Sequence, residues 1–340
     1  MNEGSSHTIV LAGDVGATKT NLALFEHKNN HQSIIREAKF NSHDYENIIE
    51  LIKTFQKGLP SPDSICLGVA GPVLNDHAKL SNIGWEIDCD DLVRQFNTSD
   101  IYLINDLEAT AYGLSILGEN DFAVIHKGDD RAIGNAAVIA PGTGLGEAGI
   151  YWDGNGYHPF ATEGGHCDFA PRNEFDFELL CFLQKQFQHV SWERLVCGPG
   201  IVNIYQFLRN EKKREEPEWL KEEFANADAA LIISRNSDKC EICMETMRLF
   251  ICYLAYESAN LVLKFKATRG LFIGGGIAPQ IISLLQNDVF YSSFRQSGRL
   301  NYLLEKVPVK IILNTKTALL GAAYYGTKNI VVKPGFYDQS

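Results

Sequence analysis

The stretch Gly13-Asp14-Val15-Gly16-Ala17-Thr18-Lys19-Thr20 lies between two short apolar runs, residues 9–12 and 21–25. Both runs are rich in strand-forming residues, so the segment is predicted to be a strand, a turn and a second strand. This excludes a Walker loop, which needs Gly directly before Lys-Ser/Thr and a helix afterwards. Small residues in the turn allow backbone N–H groups and hydroxyls to approach phosphate, and Asp14 is a candidate ligand for hydrated Mg²⁺. Taken alone, the stretch also fits an ordinary hairpin.

A second glycine cluster, Pro141-Gly142-Thr143-Gly144-Leu145-Gly146-Glu147-Ala148-Gly149, contains the spacing GxGxxG. A dinucleotide-binding fingerprint requires a helix directly after it, whereas residues 150–152 (IYW) favour a strand. This argues against a dinucleotide-binding oxidoreductase. Two strand-turn-strand clusters in one chain predict a duplicated fold that binds a polyphosphate from both sides.

Composition limits the class of protein. The chain has 340 residues, 45% hydrophobic and 21% charged, which is enough for two globular domains. The formal net charge of −11 argues against nucleic acid or an anionic membrane as partner. No segment is apolar enough to span a bilayer, and residues 1–7 lack the features of a signal peptide, so we expect a cytoplasmic protein.

The eight cysteines indicate free thiols in a reducing compartment, because most stand singly in apolar contexts. Cys240 and Cys243 form a CxxC pair, but no second pair or His lies at zinc-site spacing, so neither a metal nor a redox role is expected.

The order of elements predicts two α/β domains. Strand-like runs at 65–70 and 101–104 alternate with helical stretches at 44–56 and 107–117. A second unit begins with a strand at 136–140, continues with helical stretches at 175–188, 202–208 and 242–266, and has strands at 270–273 and 309–313. We expect a small domain of residues 1–116, completed by a C-terminal helix at about 314–340, and a large domain of residues 117–313. The glycine-rich turns of both would face a central interdomain cleft.

Asn105 and Asp106 stand where a predicted strand ends and a helix begins. Asn and Asp favour helix N-caps. The carboxyl end of a strand is also where α/β proteins bind ligands, so Asp106 is a candidate general base and Asn105 a candidate to orient a substrate hydroxyl. The two roles are compatible.

Glu163-Gly164-Gly165-His166 combines a carboxylate, an imidazole and two glycines, which suits the hydroxyls of a polyol. A metal role for His166 with Cys167 is disfavoured, since no further ligands lie nearby in sequence. Glu193 follows Ser191, a natural N-cap, so Glu193 either supports a helix start or binds substrate. The turn 274–276 (GGG) would let an adenine or ribose lie against Gly275 and Gly276, or it is a tight strand-to-helix turn.

Together these residues resemble the bacterial glucokinase family of cytoplasmic hexose kinases. The resemblance covers nearly the whole chain. It rests on seven ordered motifs: GDVGATKT (13–20), GVAGPV (68–73), INDLEA (104–109), PGTGLG (141–146), EGGHCDFAP (163–171), SWERLVCGPG (191–200) and FIGGGI (272–277).

The resemblance implies an actin-like ATPase fold (ribonuclease H-like) and transfer of the γ-phosphoryl group of ATP, with Mg²⁺, to the 6-hydroxyl of D-glucose. Asp106 would be the base, and the glucose hydroxyls would be held by Asn82, Asn105, Glu163, His166 and Glu193. Phosphates would be held by Gly13, Asp14, Val15, Gly16, Ala17, Thr18, Gly142, Thr143 and Gly144. The family also suggests a homodimer.

The chain departs from the family at Ala17, where a second glycine is usual, and at Lys19, where Asn is usual. Either Lys19 contacts phosphate or it points to solvent. The cysteine-rich zinc motif of a related repressor and kinase family is absent. Two alternatives stay open: a kinase for another hexose such as mannose or fructose, and a catalytically silent sugar sensor or transcriptional regulator. The regulator is disfavoured by the acidic charge and by a first strand that starts near Thr8.

Overall fold

The structure, a computed structural model, describes residues 7–28, 31–80, 82–225 and 227–331. The chain divides into two compact units. Unit 1 takes in Met1–Gly118 and Asn314–Ser340, and unit 2 takes in Glu119–Leu313.

Within the described ranges, the strands fall into three sheets, two large ones and a small one in unit 1. Their bounds are β1 His7–Val15, β2 Lys19–Lys28, β3 His31–Asn41, β4 Ser64–Val69, β5 Val73–Leu74, β6 His77–Leu80, β7 Trp85–Asp88, β8 Asp100–Asn105, β9 Phe122–His126, β10 Ala136–Pro141, β11 Leu145–Trp152, β12 Tyr157–Thr162, β13 Gly270–Ile273 and β14 Val309–Ile312.

The helices connect and cover these sheets. Their bounds are α1 Ile48–Gln56, α2 Cys89–Phe96, α3 Asp106–Gly113, α4 Glu174–Gln184, α5 Gly198–Asn210, α6 Glu218–Phe224, α7 Ala229–Arg235, α8 Glu241–Phe265, α9 Ile282–Leu285, α10 Asp288–Phe294, α11 Asn301–Leu304 and α12 Thr317–Val331. In the part of the chain that the structure describes, no helix has the length and apolar character needed to cross a membrane.

Unit 1 is built on a five-stranded sheet in the order β3-β2-β1-β4-β8. Strands β1, β4 and β8 run parallel, and β2 and β3 complete the sheet as antiparallel strands. Successive side chains point to opposite faces: Leu11 belongs to a core with α1 and α2, and Ala12 belongs to a core with α3 and α12. The parallel strands are therefore buried on both sides, as is usual for such strands.

Unit 2 repeats this order. Its sheet runs β12-β11-β10-β13-β14-β9, and the first five strands match those of unit 1 in both position and direction. Strand β9 adds an antiparallel edge. The core of unit 2 packs the sheet against helices that include α4, α5, α8 and α10. The duplication predicted from the two glycine clusters is confirmed.

Most predicted elements are present, but the helix bounds differ. Helix α5 is longer than the predicted stretch 202–208, whereas α3 and α4 are shorter than predicted. Helix α3 ends at Gly113 rather than at 117, and α4 ends at Gln184 rather than at 188. Strands β3, β9 and β12 and the small sheet of β5, β6 and β7 were not predicted. Strand β3 is largely exposed and polar, and β12 contains Pro159 at the sheet edge, so neither carries an apolar alternation.

Helix α12 completes unit 1 by packing on α3, β1 and β4. The two helices meet backbone to backbone. A Cβ added to Gly321 would overlap Ala109 O and lie 2.6 Å from Gly113 N. Only glycine fits there, because a side chain would have to push the helices apart.

We expect Gly321→Ala to destabilise the protein by about 2–3 kcal/mol, since the helices must separate to admit a methyl group. Thermal unfolding measures this as a fall in Tm. Gly156→Ala is the matched control, because a Cβ there would meet only His158 Nε2, at 3.8 Å. Equal Tm values for the two variants would contradict the close contact of α3 with α12.

Candidate active site

Two loops and helix α3 of unit 1 begin at the carboxyl edge of its parallel strands. Val15, Val69 and Asn105 lie level with one another in β1, β4 and β8. Ala70 N–H donates to Val15 O at 3.0 Å, and Asn105 Nδ2 donates to Gly71 O at 3.0 Å. The segments after the three strands are thus joined to one another, at the edge where α/β sheets commonly bind ligands.

The turn predicted to bind phosphate joins β1 to β2 as an antiparallel hairpin, in which Gly16 N–H donates to Lys19 O at 3.0 Å. Ser42 supports this turn. Its Oγ donates to Gly16 O at 2.7 Å, and its N–H donates to Thr18 O at 3.0 Å. Because the Oγ hydrogen is used for Gly16, Thr20 Oγ1 is the donor to Ser42 Oγ, at 2.9 Å.

Ser42 is a residue that sequence reasoning missed. It is completely buried, directly after β3. Because β3 was not predicted, nothing linked residue 42 to the turn. The pairing of β2 with β3, which places Asn41 opposite Lys19, was the signal needed.

Asp14 lies at the end of β1 opposite Asn21, whose Nδ2 donates to Asp14 Oδ2 at 3.1 Å. Burial raises the pKa of Asp14, and the bond from Asn21 and the positive charge of Lys39 offset this in part. A desolvated carboxylate gains from a cation beside it, and its oxygen atoms are the hard ligands that Mg²⁺ prefers. Asp14 therefore fits the predicted metal role.

The other residues predicted to bind phosphate differ in which of their groups are accessible to a ligand. Gly13 lies inside β1, where an added Cβ would come within 2.6 Å of Leu67 Cδ2, so close packing accounts for this glycine. Val15 is fully buried, which leaves only its backbone for a ligand. Residues 16–18 form the turn itself, and the side chains of Thr18 and Lys19 are exposed.

Asp106 is the first residue of α3, and Asn105 is its N-cap, as predicted. Asn105 Oδ1 accepts Leu107 N–H at 2.8 Å and Glu108 N–H at 3.3 Å. The Asn105 backbone N–H donates in return to the Glu108 carboxylate. This reciprocal capping box fixes the backbone on both sides of Asp106 and places its carboxylate at the positive end of the helix.

Glu108 was also missed, although the spacing Asn-x-x-Glu in 105–108 is the signal of a capping box. Burial raises the pKa of Glu108, and the hydrogen bond from the Asn105 backbone opposes that rise.

Asn82 stands apart from these contacts. It is exposed in the turn between β6 and β7. Within the described residues, the hydrogen bonds given above for the carboxyl edge do not include it.

The equivalent edge of unit 2 gathers three glycine turns. Gly142 follows β10, and Gly274 follows β13, where its N–H donates to Ile139 O at 2.8 Å. Gly198 begins α5, and its N–H donates to Gly142 O at 2.9 Å. The second strand-turn-strand cluster is therefore hydrogen-bonded to the CGPG stretch. The triple glycine leaves β13 beside the end of β10 and is bonded to that strand.

Gly275 and Gly276 have different surroundings. Gly275 has a φ of +77°, and an added Cβ would overlap Pro141 O, so the turn itself requires glycine. No described atom lies within 4 Å of a Cβ added to Gly276. Thr143, in the neighbouring turn, is exposed.

The backbone of Leu145 joins the two turns predicted to bind a polyol. Leu145 N–H donates to Glu193 Oε2 at 2.9 Å, and Gly165 packs so closely on Leu145 O that an added Cβ would overlap it. Glu163 and His166 flank the two glycines, and His166 N–H donates to Glu163 O at 3.0 Å. The structure thus brings Glu163, His166 and Glu193 to two turns that contact one residue.

Glu193 does more than begin a helical turn. Ser191 is the N-cap of the short 3-10 helix Trp192–Arg194, but its side chain makes no capping bond. The Glu193 carboxylate instead accepts the Leu145 N–H and so connects the two turns. Glu163 and His166 are exposed, so their side chains are accessible to a ligand.

Within the described residues, no group of three or more His, Cys, Asp and Glu side chains is placed to hold a metal ion. Cys240 is the N-cap of α8, and Cys243 is buried three residues later.

The glucokinase family model matches residues 11–329. The chain belongs to the glucokinase family. A glucokinase from Nostoc punctiforme is 38% identical in an alignment 334 residues long, which covers 93% of this chain and 98% of that protein. A crystal structure of a glucokinase from an Antarctic psychrotroph is 30% identical, with a TM-score of 0.82 over 94% of this chain and 99% of that one. The glucokinase of Balamuthia mandrillaris, solved in complex with glucose, has a TM-score of 0.77 at 20% identity, over 96% of this chain and 94% of that one, and shows the same fold.

The resemblance predicted from seven motifs is confirmed. In this glucokinase-family chain, three motifs meet at the carboxyl edge of unit 1: GDVGATKT, GVAGPV and INDLEA. The motifs PGTGLG, SWERLVCGPG and FIGGGI meet at the equivalent edge of unit 2, and EGGHCDFAP reaches it through Leu145.

We expect Ser42→Ala to raise the KM for ATP roughly 2–10-fold, because the phosphate turn loses a hydrogen bond worth about 0.5–1.5 kcal/mol. The KM for glucose should change less than that for ATP. Ser33→Ala is the control, since Ser33 pairs with Glu26 at the other end of β3. An ATP KM that rises no more in Ser42→Ala than in the control would show that Ser42 does not support the turn.

Glu108→Ala should reduce kcat roughly 10–100-fold, because a base displaced by about 1 Å loses its alignment. The loss of the cap should also cost about 0.5–2 kcal/mol of stability. Glu50→Ala is a matched control: Asn47 and Glu50 form a similar cap on α1, where Asn47 accepts Glu50 N–H and Glu50 accepts Glu46 N–H. Steady-state kinetics and thermal unfolding should show similar stability losses, with kcat reduced only in Glu108→Ala. An equal kcat in both variants would contradict the positioning of Asp106 by this box.

Proposed function

We propose that this glucokinase-family chain transfers the γ-phosphoryl group of ATP to the 6-hydroxyl of D-glucose, with Asp106 as general base. The observation that carries the assignment of the base is the place of Asp106. It is held by a capping box at the same sheet edge as the phosphate turn of unit 1. Family membership supports the reaction itself.

The role of Asp106 follows from what phosphoryl transfer needs. The reaction requires a positioned nucleophile and neutralised charge rather than covalent help from the protein. As the oxygen–phosphorus bond to the sugar forms, the hydroxyl proton passes to the Asp106 carboxylate, and the bond to ADP breaks. Asp106 is partly exposed, whereas its neighbour Asn105 is buried, so of the two Asp106 is the more accessible to a substrate.

Both glycine turns are proposed to bind the phosphates of ATP through backbone N–H groups and hydroxyls. The residues are Gly13, Asp14, Val15, Gly16, Ala17 and Thr18 in unit 1 and Gly142, Thr143 and Gly144 in unit 2. The open space at Gly276, next to Gly275, supports a place for adenine or ribose. Asp14 would hold Mg²⁺, which when bound neutralises charge on the β- and γ-phosphate oxygens.

The sugar hydroxyls are proposed to bind Asn82, Asn105, Glu163, His166 and Glu193. Asn105 has limited capacity, because its Oδ1 accepts two backbone N–H groups and its Nδ2 donates to Gly71 O. Its contribution to the sugar is then the second Nδ2 hydrogen. A sugar that lacks a matching hydroxyl leaves the corresponding polar group unpaired, which gives selectivity.

We also infer that the repeated strand order belongs to an actin-like ATPase fold. The domains would comprise residues 1–116, completed by about 314–340, and residues 117–313. We further propose that the protein is a cytoplasmic enzyme that feeds glycolysis and forms a homodimer, as the resemblance to the family implies.

Asp106→Asn should reduce kcat by about 10²–10⁴, the usual contribution of a general base, while glucose binding persists. The measurement is ADP production with ATP and Mg²⁺ plus glucose, mannose, fructose or no sugar, beside calorimetric glucose binding. Asp100→Asn, at the other end of β8, is the matched control and should stay within about twofold of the unaltered protein.

Turnover that is equal in Asp106→Asn and Asp100→Asn would remove the assignment of the base. Faster turnover with mannose or fructose than with glucose would move the substrate to another hexose. Sugar binding without turnover by the unaltered protein would overturn the kinase and favour a sugar sensor.

A further inference from the structure

Glu147 is a buried carboxyl directly behind the turn that carries Glu163 and His166. It lies on β11, one residue after PGTGLG, and is 1% exposed. A Cβ added to Gly164 would overlap Glu147 Oε2 and lie 2.9 Å from Glu147 Cδ. The glycine at 164 therefore allows the turn to rest on this carboxyl.

Neither carboxyl oxygen of Glu147 has a hydrogen-bond partner among the described residues. An ionised carboxylate in that position would have no hydrogen-bond donor among the described residues to stabilise it, which is costly. A neutral carboxyl is far cheaper to bury there. The contact with Gly164 is thus compatible with the uncharged form.

The neighbouring charges act in the same direction. Burial raises the pKa of Glu147 to about 8, the negative charge of Glu257 on α8 adds to the rise, and Lys264 opposes it. Glu257 is itself fully buried and accepts from Asn260 Nδ2 at 2.8 Å and from Lys264 Nζ at 3.3 Å. The positive charge of Lys264 is therefore shared with another carboxylate.

The strands and the turn beside Glu147 bring few further titratable groups. Its strand partners are Ile139 on β10 and Thr162 on β12. Thr162 Oγ1 donates to the Glu147 backbone oxygen at 3.0 Å and accepts Gly164 N–H at 3.3 Å. On the turn itself, the titratable groups next to the two glycines are the exposed side chains of Glu163 and His166.

We propose that Glu147 is a positioning residue, whose uncharged carboxyl supports the 163–166 turn in the form that binds the sugar and whose ionisation weakens that binding. An ionised Glu147 must draw water or backbone N–H groups toward itself, and Gly164 is the backbone that lies against it. Such a shift displaces Glu163 and His166, which are on either side. This inference rests on the proposed function, because it takes those two residues as sugar ligands.

The test is the KM for glucose between pH 7 and pH 9.5 in the unaltered protein, Glu147→Gln and Glu257→Gln. We expect the KM of the unaltered protein to rise about tenfold over this range while kcat changes much less, since a positioning effect on sugar binding acts on KM. In Glu147→Gln the KM should stay within about twofold, because the amide cannot ionise. Glu257→Gln is the matched control: it removes a buried carboxyl that lies on α8 and accepts from Asn260 and Lys264, and the KM of this variant should still depend on pH.

Thermal unfolding gives a readout that does not depend on activity. The pKa of Glu147 is raised in the folded protein, so the folded state holds a proton that the unfolded chain releases. The stability from that proton is fully present below about pH 4.5 and is lost as the pH rises through about 8. Tm should therefore fall with pH more steeply in the unaltered protein than in Glu147→Gln.

The outcomes separate this inference from the proposed function. Absence of glucose-dependent turnover at every pH would overturn the proposed function. Turnover with the same KM profile in the unaltered protein and in Glu147→Gln would overturn the role of Glu147 alone. If Glu147→Gln fails to fold, the pH profile of the unaltered protein still tests the proposal. A KM for glucose that changes less than twofold from pH 7 to pH 9.5 in that protein would overturn it.

Discussion

The candidate site of unit 1 depends on the parallel register of β1, β4 and β8. That register sets Val15, Val69 and Asn105 level, so that two loops and helix α3 leave the sheet at one edge. A slip of one residue would turn every side chain of a strand to the opposite face, and the apolar cores on both faces prevent it. The position of Asp106 is therefore fixed by the packing of the strands that precede it in the sheet.

The same register constraint acts in unit 2, where the turns at the sheet edge carry different side chains. Its strands β10, β13 and β14 take the places of β1, β4 and β8, and glycine turns again follow the first two. Unit 1 places a carboxylate at the start of a helix, whereas unit 2 places Glu193, Glu163 and His166 around the backbone of Leu145. One architecture, used twice, thus carries a candidate base in one unit and most of the candidate sugar ligands in the other.

The sequence predicted the parts of the fold that have a local pattern. The buried strands and the glycine turns are visible because apolar runs and small residues are adjacent in the chain, and Asn105 could be identified as an N-cap from its place at a strand end. Ser42 and Glu147 could not be found in this way. The role of Ser42 depends on the pairing of the polar strand β3, and that of Glu147 on its contact with Gly164 and on the charge of Glu257, more than 100 residues away. Those are relations across the chain, which a local pattern does not contain. Glu108 is the intermediate case, since its motif was present in the sequence and only its partner had to be recognised.

The path of the chain affects the order in which the protein can be completed during synthesis. Unit 2 is one continuous segment, but unit 1 takes Leu319, Ala322 and Ala323 of α12 into its second core. One face of the first sheet, including Ala12 and Cys66, therefore lacks its α12 cover until residues 317–331 have been made. A chain truncated between residues 313 and 317 would lack α12 although every residue of the phosphate turn had already been made, so it would contain an incomplete unit 1 beside a complete unit 2.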